Sequence, residues 1–296
     1  MWFMLSLSAL MMQVTRRTTD KHLSSTIDSS HLAWLQQLFG MPFIIATLFL
    51  APFYWPHQLS SHFWLLMLIF TICSCIDVWC YFKALSLADI SYVAPLLSLV
   101  AIGNSIGAYF VLGQPLTMWG MLGGAWIIAG AYLANRAKQK NTDQHANNRL
   151  ALLFVLILVV IRAYYSNIEV PMLQESNVTS FNFYTSLFAI PILFAAAVLI
   201  QRTKRKGTSV RQTIRTATVK NLWPLTIIGI TYTLNLLATF QAKLLSPNAG
   251  YVGAVKGASV LPLMILGMLF FHEKIVRMQW VGLVFVMLGL FCMSMN

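Results

Sequence analysis

Lys256, Asp77 and Arg162 each interrupt a long apolar stretch, at 249–271, 63–85 and 150–169 respectively. A charge is expensive in hydrocarbon, so an ionisable residue inside such a stretch is there to meet a partner or a passing ligand. Lys256 stands about 10 Å below its helix end at helical rise. It offers a cation to an anionic ligand group or a carboxylate; the alternative is a snorkelling or internally paired lysine. Asp77 shares a helix face with Cys73 and Cys80, and would either carry a proton or partner a basic residue. Arg162 cannot shed its charge, so it requires a carboxylate, a cage of carbonyls or an anionic substrate. Asn104, Tyr232, Asn235 and Ser259 add neutral polar groups that either bond between helices or line a cavity. Glu169 lies close to the end of its stretch, where headgroups or water would satisfy it. Glu273, at a helix junction, reads as structural.

Other chemistries find no support. The chain has no HExxH, GxSxG or P-loop and no carboxylates paired at catalytic spacing, so it is not read as an enzyme. No repeated filter segment suggests a channel. The four cysteines, Cys73, Cys75, Cys80 and Cys292, have no zinc-site spacing. They read as small buried hydrophobes, and neither a metal nor another cofactor is implied.

The elements that must position these groups are membrane helices. Of the 296 residues 58% are hydrophobic and only 9% charged, whereas a soluble domain carries about a quarter charged residues. Stretches of about 17–25 apolar residues, enough to cross a bilayer core, fall near 1–15, 35–55, 63–85, 90–112, 118–135, 150–169, 179–200, 222–242, 249–271 and 278–295. The first is short, and either spans with local thinning or lies at the surface. It has no basic residue ahead of it, so it reads as an anchor rather than a cleaved signal. The expected fold is all-α and polytopic, with about ten transmembrane helices. The net charge of +12 is then a matter of topology, not of nucleic-acid binding. The odd-numbered connections hold 17 Lys and Arg, against Lys243 alone in the even ones. The basic loops 136–149 and 201–220 are therefore expected to be cytoplasmic and both termini outside, in a plasma or bacterial inner membrane.

A shift of 159 residues lays 84–133 over 243–292 without a gap. Tyr92-Val93 falls on Tyr251-Val252, Gln114 on Glu273, Gly123 on Gly282 and Gly130 on Gly289. Each half has an odd number of spans, so the second enters the membrane in the opposite sense, as in inverted-repeat transporters. The expected organisation is a five-helix repeat at 1–135, a basic linker at 136–149 and a second five-helix repeat at 150–296. Ala84-Leu85, Tyr92 to Leu96, Leu112-Gly113-Gln114-Pro115-Leu116 and Gly123 to Gly130 resemble the fourth and fifth helices of an EamA-like transporter of the drug/metabolite transporter superfamily. Tyr251-Val252, Phe270 to Lys274, Gly282 and Gly289 resemble the corresponding end of the second half. The resemblance implies two inverted five-helix repeats, a central cavity and alternating access. The chain departs from the family pattern in having Gln114 where Glu is usual, and its charge count places the termini opposite to the usual drawing.

Together these readings point to a secondary exporter or exchanger of a small polar metabolite, anionic or zwitterionic. Lys256, Asp77, Arg162, Asn235, Ser259, Asn104 and Tyr232 are its candidate substrate-binding residues. The lipid bilayer is the other partner, and a homodimer is compatible with this organisation. The rival reading is a non-transporting scaffold or receptor-like membrane protein. Convergence of the intramembrane charges on one cavity separates the two.

Overall fold

The computed structural model of the protein describes residues 1–49, 51–113, 117–136, 145–203, 220–246, 249–273 and 275–294. Gln114, Pro115, Pro247, Lys274 and most of the two basic loops lie outside the described residues. The described chain forms twelve α-helices: α1 (Trp2–Ser24), α2 (Ser29–Thr47), α3 (Ser61–Leu87), α4 (Ile90–Leu97), α5 (Leu99–Leu112), α6 (Met118–Arg136), α7 (His145–Glu175), α8 (Val178–Thr203), α9 (Leu222–Leu245), α10 (Ala249–Gly257), α11 (Val260–Phe271) and α12 (Arg277–Ser294). The α4–α5 and α10–α11 pairs are each one crossing helix broken midway, giving ten crossing units. Five of these, α3, α4–α5, α7, α8 and α9, are long and apolar enough to cross a bilayer by length and composition. Burial is arranged for lipid: Leu65, Leu68, Ile72 and Ile76 of α3 and Leu153 and Val160 of α7 face outward, while Gln36, Gln37, Asn182 and Asn235 are buried.

Two spans differ from the sequence reading. The first is not short, because α1 runs for 23 residues, about 34 Å at helical rise. It carries Arg16, Arg17 and Lys21, which the apolar count placed in a connection. Arg16 and Lys21 are held in the helix by internal partners. Arg16 meets Asp20 at 3.6 Å, and Lys21 donates to the carbonyls of Leu85 at 2.9 Å and Ala88 at 2.7 Å. The second helix starts at Ser29 rather than 35. Asp28 caps it by accepting from the Ser30 amide at 3.0 Å, and its early polar residues are buried rather than looped out. Lys243, counted as a connection residue, likewise belongs to α9. Of the four cysteines, Cys75 and Cys80 are buried and Cys73 and Cys292 half-buried, all of them free.

The helices pack as two halves related by a pseudo-twofold. The main pairings are α6 with α12, α3 with α7, α1 with α9 and α2 with α8. Exchanging the halves converts the α1–α9 pairing into α7–α3 and leaves α2–α8 and α6–α12 unchanged. The glycines matched by the repeat form the α6–α12 seam. A Cβ added to Gly130 would stand 2.5 Å from the Gly282 carbonyl oxygen, and one on Gly289 the same distance from that of Gly123.

The helix breaks also obey the repeat. Ser98 separates α4 from α5, and Ala258 and Ser259 separate α10 from α11; the 159-residue shift carries Ser98 to Gly257. Pro95 and Pro262 flank the two breaks and withhold an amide from each ladder. At the second break the chain tightens to three-residue turns, Ala258 to Val255 at 3.2 Å and Ser259 to Lys256 at 3.1 Å.

Candidate functional site

Both broken helices run along one cavity at the interface of the halves, with about 1360 Å³ of empty space, its open mouth included. Repeat-equivalent positions face each other across it. Asp77 and its counterpart Leu236 both line the cavity, as do Lys256 and its counterpart Leu97. The lining is therefore symmetric in backbone and asymmetric in charge. On α9 it extends to Lys243, within a turn of the helix end at Leu245. The cavity thus reaches from the midplane to the face where α7 and α9 end.

At the other end of the helices a set of backbone-directed contacts holds the chain together. Glu273, just beyond α11, accepts from the amides of Ile90 and Ser91, both at 2.9 Å. Its carboxylate caps the start of α4, where the helix dipole favours an anion. Lys21 at the end of α1 holds the end of α3, and the Tyr92 hydroxyl donates to the Asn148 carbonyl at 3.2 Å.

Six of the seven sequence-proposed residues line the cavity: Lys256, Asp77, Arg162, Asn235, Asn104 and Tyr232. Ser259 stands one layer behind, fully buried, accepting from Gln13 Nε2 at 2.8 Å and Arg17 Nη1 at 3.5 Å. Arg162 forks onto Asp77: Nε donates to Oδ1 at 3.0 Å while Nη2 pairs with Oδ2. This is the geometry in which guanidinium and carboxylate bind each other best. Lys256 Nζ donates to Thr239 Oγ1 at 2.8 Å and Asn235 Oδ1 at 3.4 Å. Asn235 in turn donates to the Ala9 carbonyl at 2.6 Å, fixing its oxygen toward the lysine. Asn104 accepts from Ser166 Oγ at 2.9 Å. Tyr232 accepts from Gln37 Nε2 at 2.8 Å and lies under the Arg16 guanidinium, 5.6 Å from ring centroid to charge.

Several cavity residues escaped the sequence reading. Glu169 does not meet headgroups: it is buried and paired with Lys243. The reason is that α7 continues to Glu175, so Glu169 is more than a turn inside the helix and opposite α9. Arg16, Arg17 and Gln13 enter from α1, and Asp20 closes an ion pair with Arg16 while accepting from Tyr81 at 3.1 Å. Their spacing of four residues, Gln13–Arg17 and Arg16–Asp20, was the available signal, since it puts them on common helix faces. Among the described residues no cluster of His, Cys, Asp and Glu could hold a metal ion. Asn177 caps the start of α8, accepting from the Ser180 amide at 2.8 Å.

Comparison with known proteins agrees with this architecture. Residues 2–136 and 149–295 match the model of the EamA-like transporter family, the break between them falling at the basic linker. Among solved structures 27 chains match. A crystal structure of one protein superimposes with a TM-score of 0.65 over 99% of this chain and 96% of its own, at 13% identity, a likeness of fold alone. No curated protein matches the chain.

Proposed function

The chain belongs to the EamA-like transporter family, and from that premise we propose that it is a secondary transporter, an exporter or exchanger of a small polar metabolite. The site would be the charged cavity between the inverted halves, exposed alternately to the two faces of the membrane. One observation carries the reading: Lys256, Asp77 and Arg162, from three different helices, converge on a single cavity at the helix breaks. A scaffold has no use for charges gathered around empty space inside a bilayer, where each is costly. A transporter needs them there to replace the water its substrate gives up.

The halves then supply the mechanism. The cavity reaches the face where α7 and α9 end, while Glu273, Lys21 and Tyr92 tie the opposite face together. Release of those contacts and closure of the α7–α9 end would expose the same residues to the other side. The test is metabolite release from cells expressing the wild type, Lys256→Ala or an empty vector, at matched surface abundance. Release by the wild type alone names the substrate class and places Lys256 in the site. Wild-type cells indistinguishable from the vector across a broad metabolite panel would favour the scaffold.

A further inference from the structure

Charge in the cavity does not balance. Arg16, Arg17, Arg162, Lys243 and Lys256 line it, and three carboxylates answer them. Asp20 pairs with Arg16, Asp77 with Arg162 and Glu169 with Lys243. Among the described residues, Arg17 and Lys256 remain without a carboxylate. Arg17 is 8% exposed, its Nη1 donates to the Ser259 hydroxyl at 3.5 Å, and its buried Nε finds no acceptor among the described residues. Lys256 has only the neutral oxygens of Thr239 and Asn235.

These two cations flank one patch. Ser259, which receives Arg17, lies three residues beyond Lys256 at the break of the second broken helix. Gln13 bridges the pair, donating to Ser259 Oγ at 2.8 Å and to the Lys256 carbonyl at 3.3 Å. Elsewhere in the lining, Asn182 Nδ2 lacks an acceptor and Gln36 Oε1 lacks a donor among the described residues. Arg17 Nε is thus unpartnered and the Lys256 ammonium meets only neutral oxygens. Two buried unmatched cations are strongly disfavoured unless an anion joins them.

Resting on the transporter reading of the cavity, we propose that the substrate is a small organic dianion, a dicarboxylate or a phosphate monoester, held between Arg17 and Lys256. A dianion brings the cavity to neutrality. A monoanion leaves one positive charge unbalanced, and a zwitterion, neutral overall, leaves two. Arg17 supplies the planar fork that fits two oxygens of a carboxylate or phosphate, and Lys256 a point charge for the other anionic group.

The experiment is thermal unfolding of the purified full chain in detergent, at constant ionic strength, with succinate, glycerol 3-phosphate, lactate or alanine. A ligand that binds the folded state raises the midpoint by an amount that grows with the logarithm of its concentration above Kd. The expected result is stabilisation by at least one dianion, with an affinity about tenfold or more above that of lactate, and no effect of alanine. Whether succinate or glycerol 3-phosphate binds decides between carboxylate and phosphate. Arg17→Gln and Lys256→Met should each erase the preference of the dianion over lactate, while Arg17→Lys retains it. Binding of alanine or lactate equal to that of the dianions overturns the proposal. So does the absence of any dianion effect up to about 10 mM, or full dianion preference in both neutral variants. The wild-type panel decides the charge question even where a variant does not fold. Dianion-selective binding without flux in proteoliposomes would sink the transporter reading alone, and flux confined to a zwitterion would sink the dianion alone.

Discussion

Removing one member of a buried ion pair is far more damaging than replacing both, because the survivor is left as a bare charge. Asp77 and Arg162 form such a pair on facing helices, the acid almost fully buried and the base with 23% of its side chain exposed to the cavity. Asp77→Asn would leave Arg162 as a third unmatched cation beside Arg17 and Lys256. The expected loss of stability is about 3 kcal/mol, the lower end of the range for a broken buried pair, since water in the cavity reaches the guanidinium. Asp77→Asn combined with Arg162→Met should recover most of it, and unfolding of the two single variants and the double in detergent measures the coupling. Simple additivity of the two losses would mean that the pair does not act as a unit. Asp77, Arg162 and Lys256 were legible in the sequence because each stands alone in an apolar run, where no water can be invoked. Arg16, Arg17, Glu169 and Lys243 were not, because each lies near the apparent end of a run, where a charge reaching solvent and a charge reaching a cavity look alike. Only the true helix ends, Ser24, Glu175 and Leu245, separate the two cases.

Those ends are set by elements that the apolar count could not see. Asp28 starts α2 six residues before its apolar run, and the buried glutamines that follow it belong to the cavity wall. The broken helices were better signalled, since Pro95 and Pro262 lie inside spans and the repeat aligns their breaks. Nothing in the apolar pattern, however, signals that Glu273 reaches from one half to the first turn of α4 in the other. That contact makes a specific prediction. Glu273→Ala removes the acceptor of two orphan amides at a helix start, a loss of about 0.5–2 kcal/mol for a capping interaction. Hydrogen exchange of the peptide covering Ile90 and Ser91 should accelerate by about tenfold or less, with Glu273→Gln intermediate because one acceptor oxygen remains. The same change loosens the tied face, so it should also raise labelling of a cysteine placed at Ser91 by a water-soluble thiol reagent. Unchanged exchange and labelling in Glu273→Ala would show that Lys21 and Tyr92 close that face without it.

The whole molecule combines a symmetric scaffold with an asymmetric charge. The α6–α12 glycine seam and the paired helix breaks follow the pseudo-twofold, so on the proposed transport cycle the inward- and outward-facing arrangements would be two settings of the same packing. Lys256 and Asp77, by contrast, have leucines at the equivalent positions, so the repeated backbone does not itself require a charge at either. Passing from one setting to the other requires an intermediate in which the cavity is closed to water on both sides. In the empty protein that intermediate would enclose Arg17 and Lys256 uncompensated, at a penalty of several kcal/mol per ion. Loaded with a dianion it encloses no net charge. The empty protein should therefore return slowly and the loaded one quickly, which is the behaviour of an exchanger. In proteoliposomes loaded with the dianion that binds, efflux into buffer containing the same dianion should exceed efflux into anion-free buffer by at least tenfold, since 1.4 kcal/mol in the barrier already gives that factor. Lys256→Met should narrow the ratio, because it removes one of the two charges that hold back the empty form while weakening the loaded one. Equal efflux with and without external dianion would mean that the empty cavity closes freely, and that its excess charge is neutralised by something other than substrate.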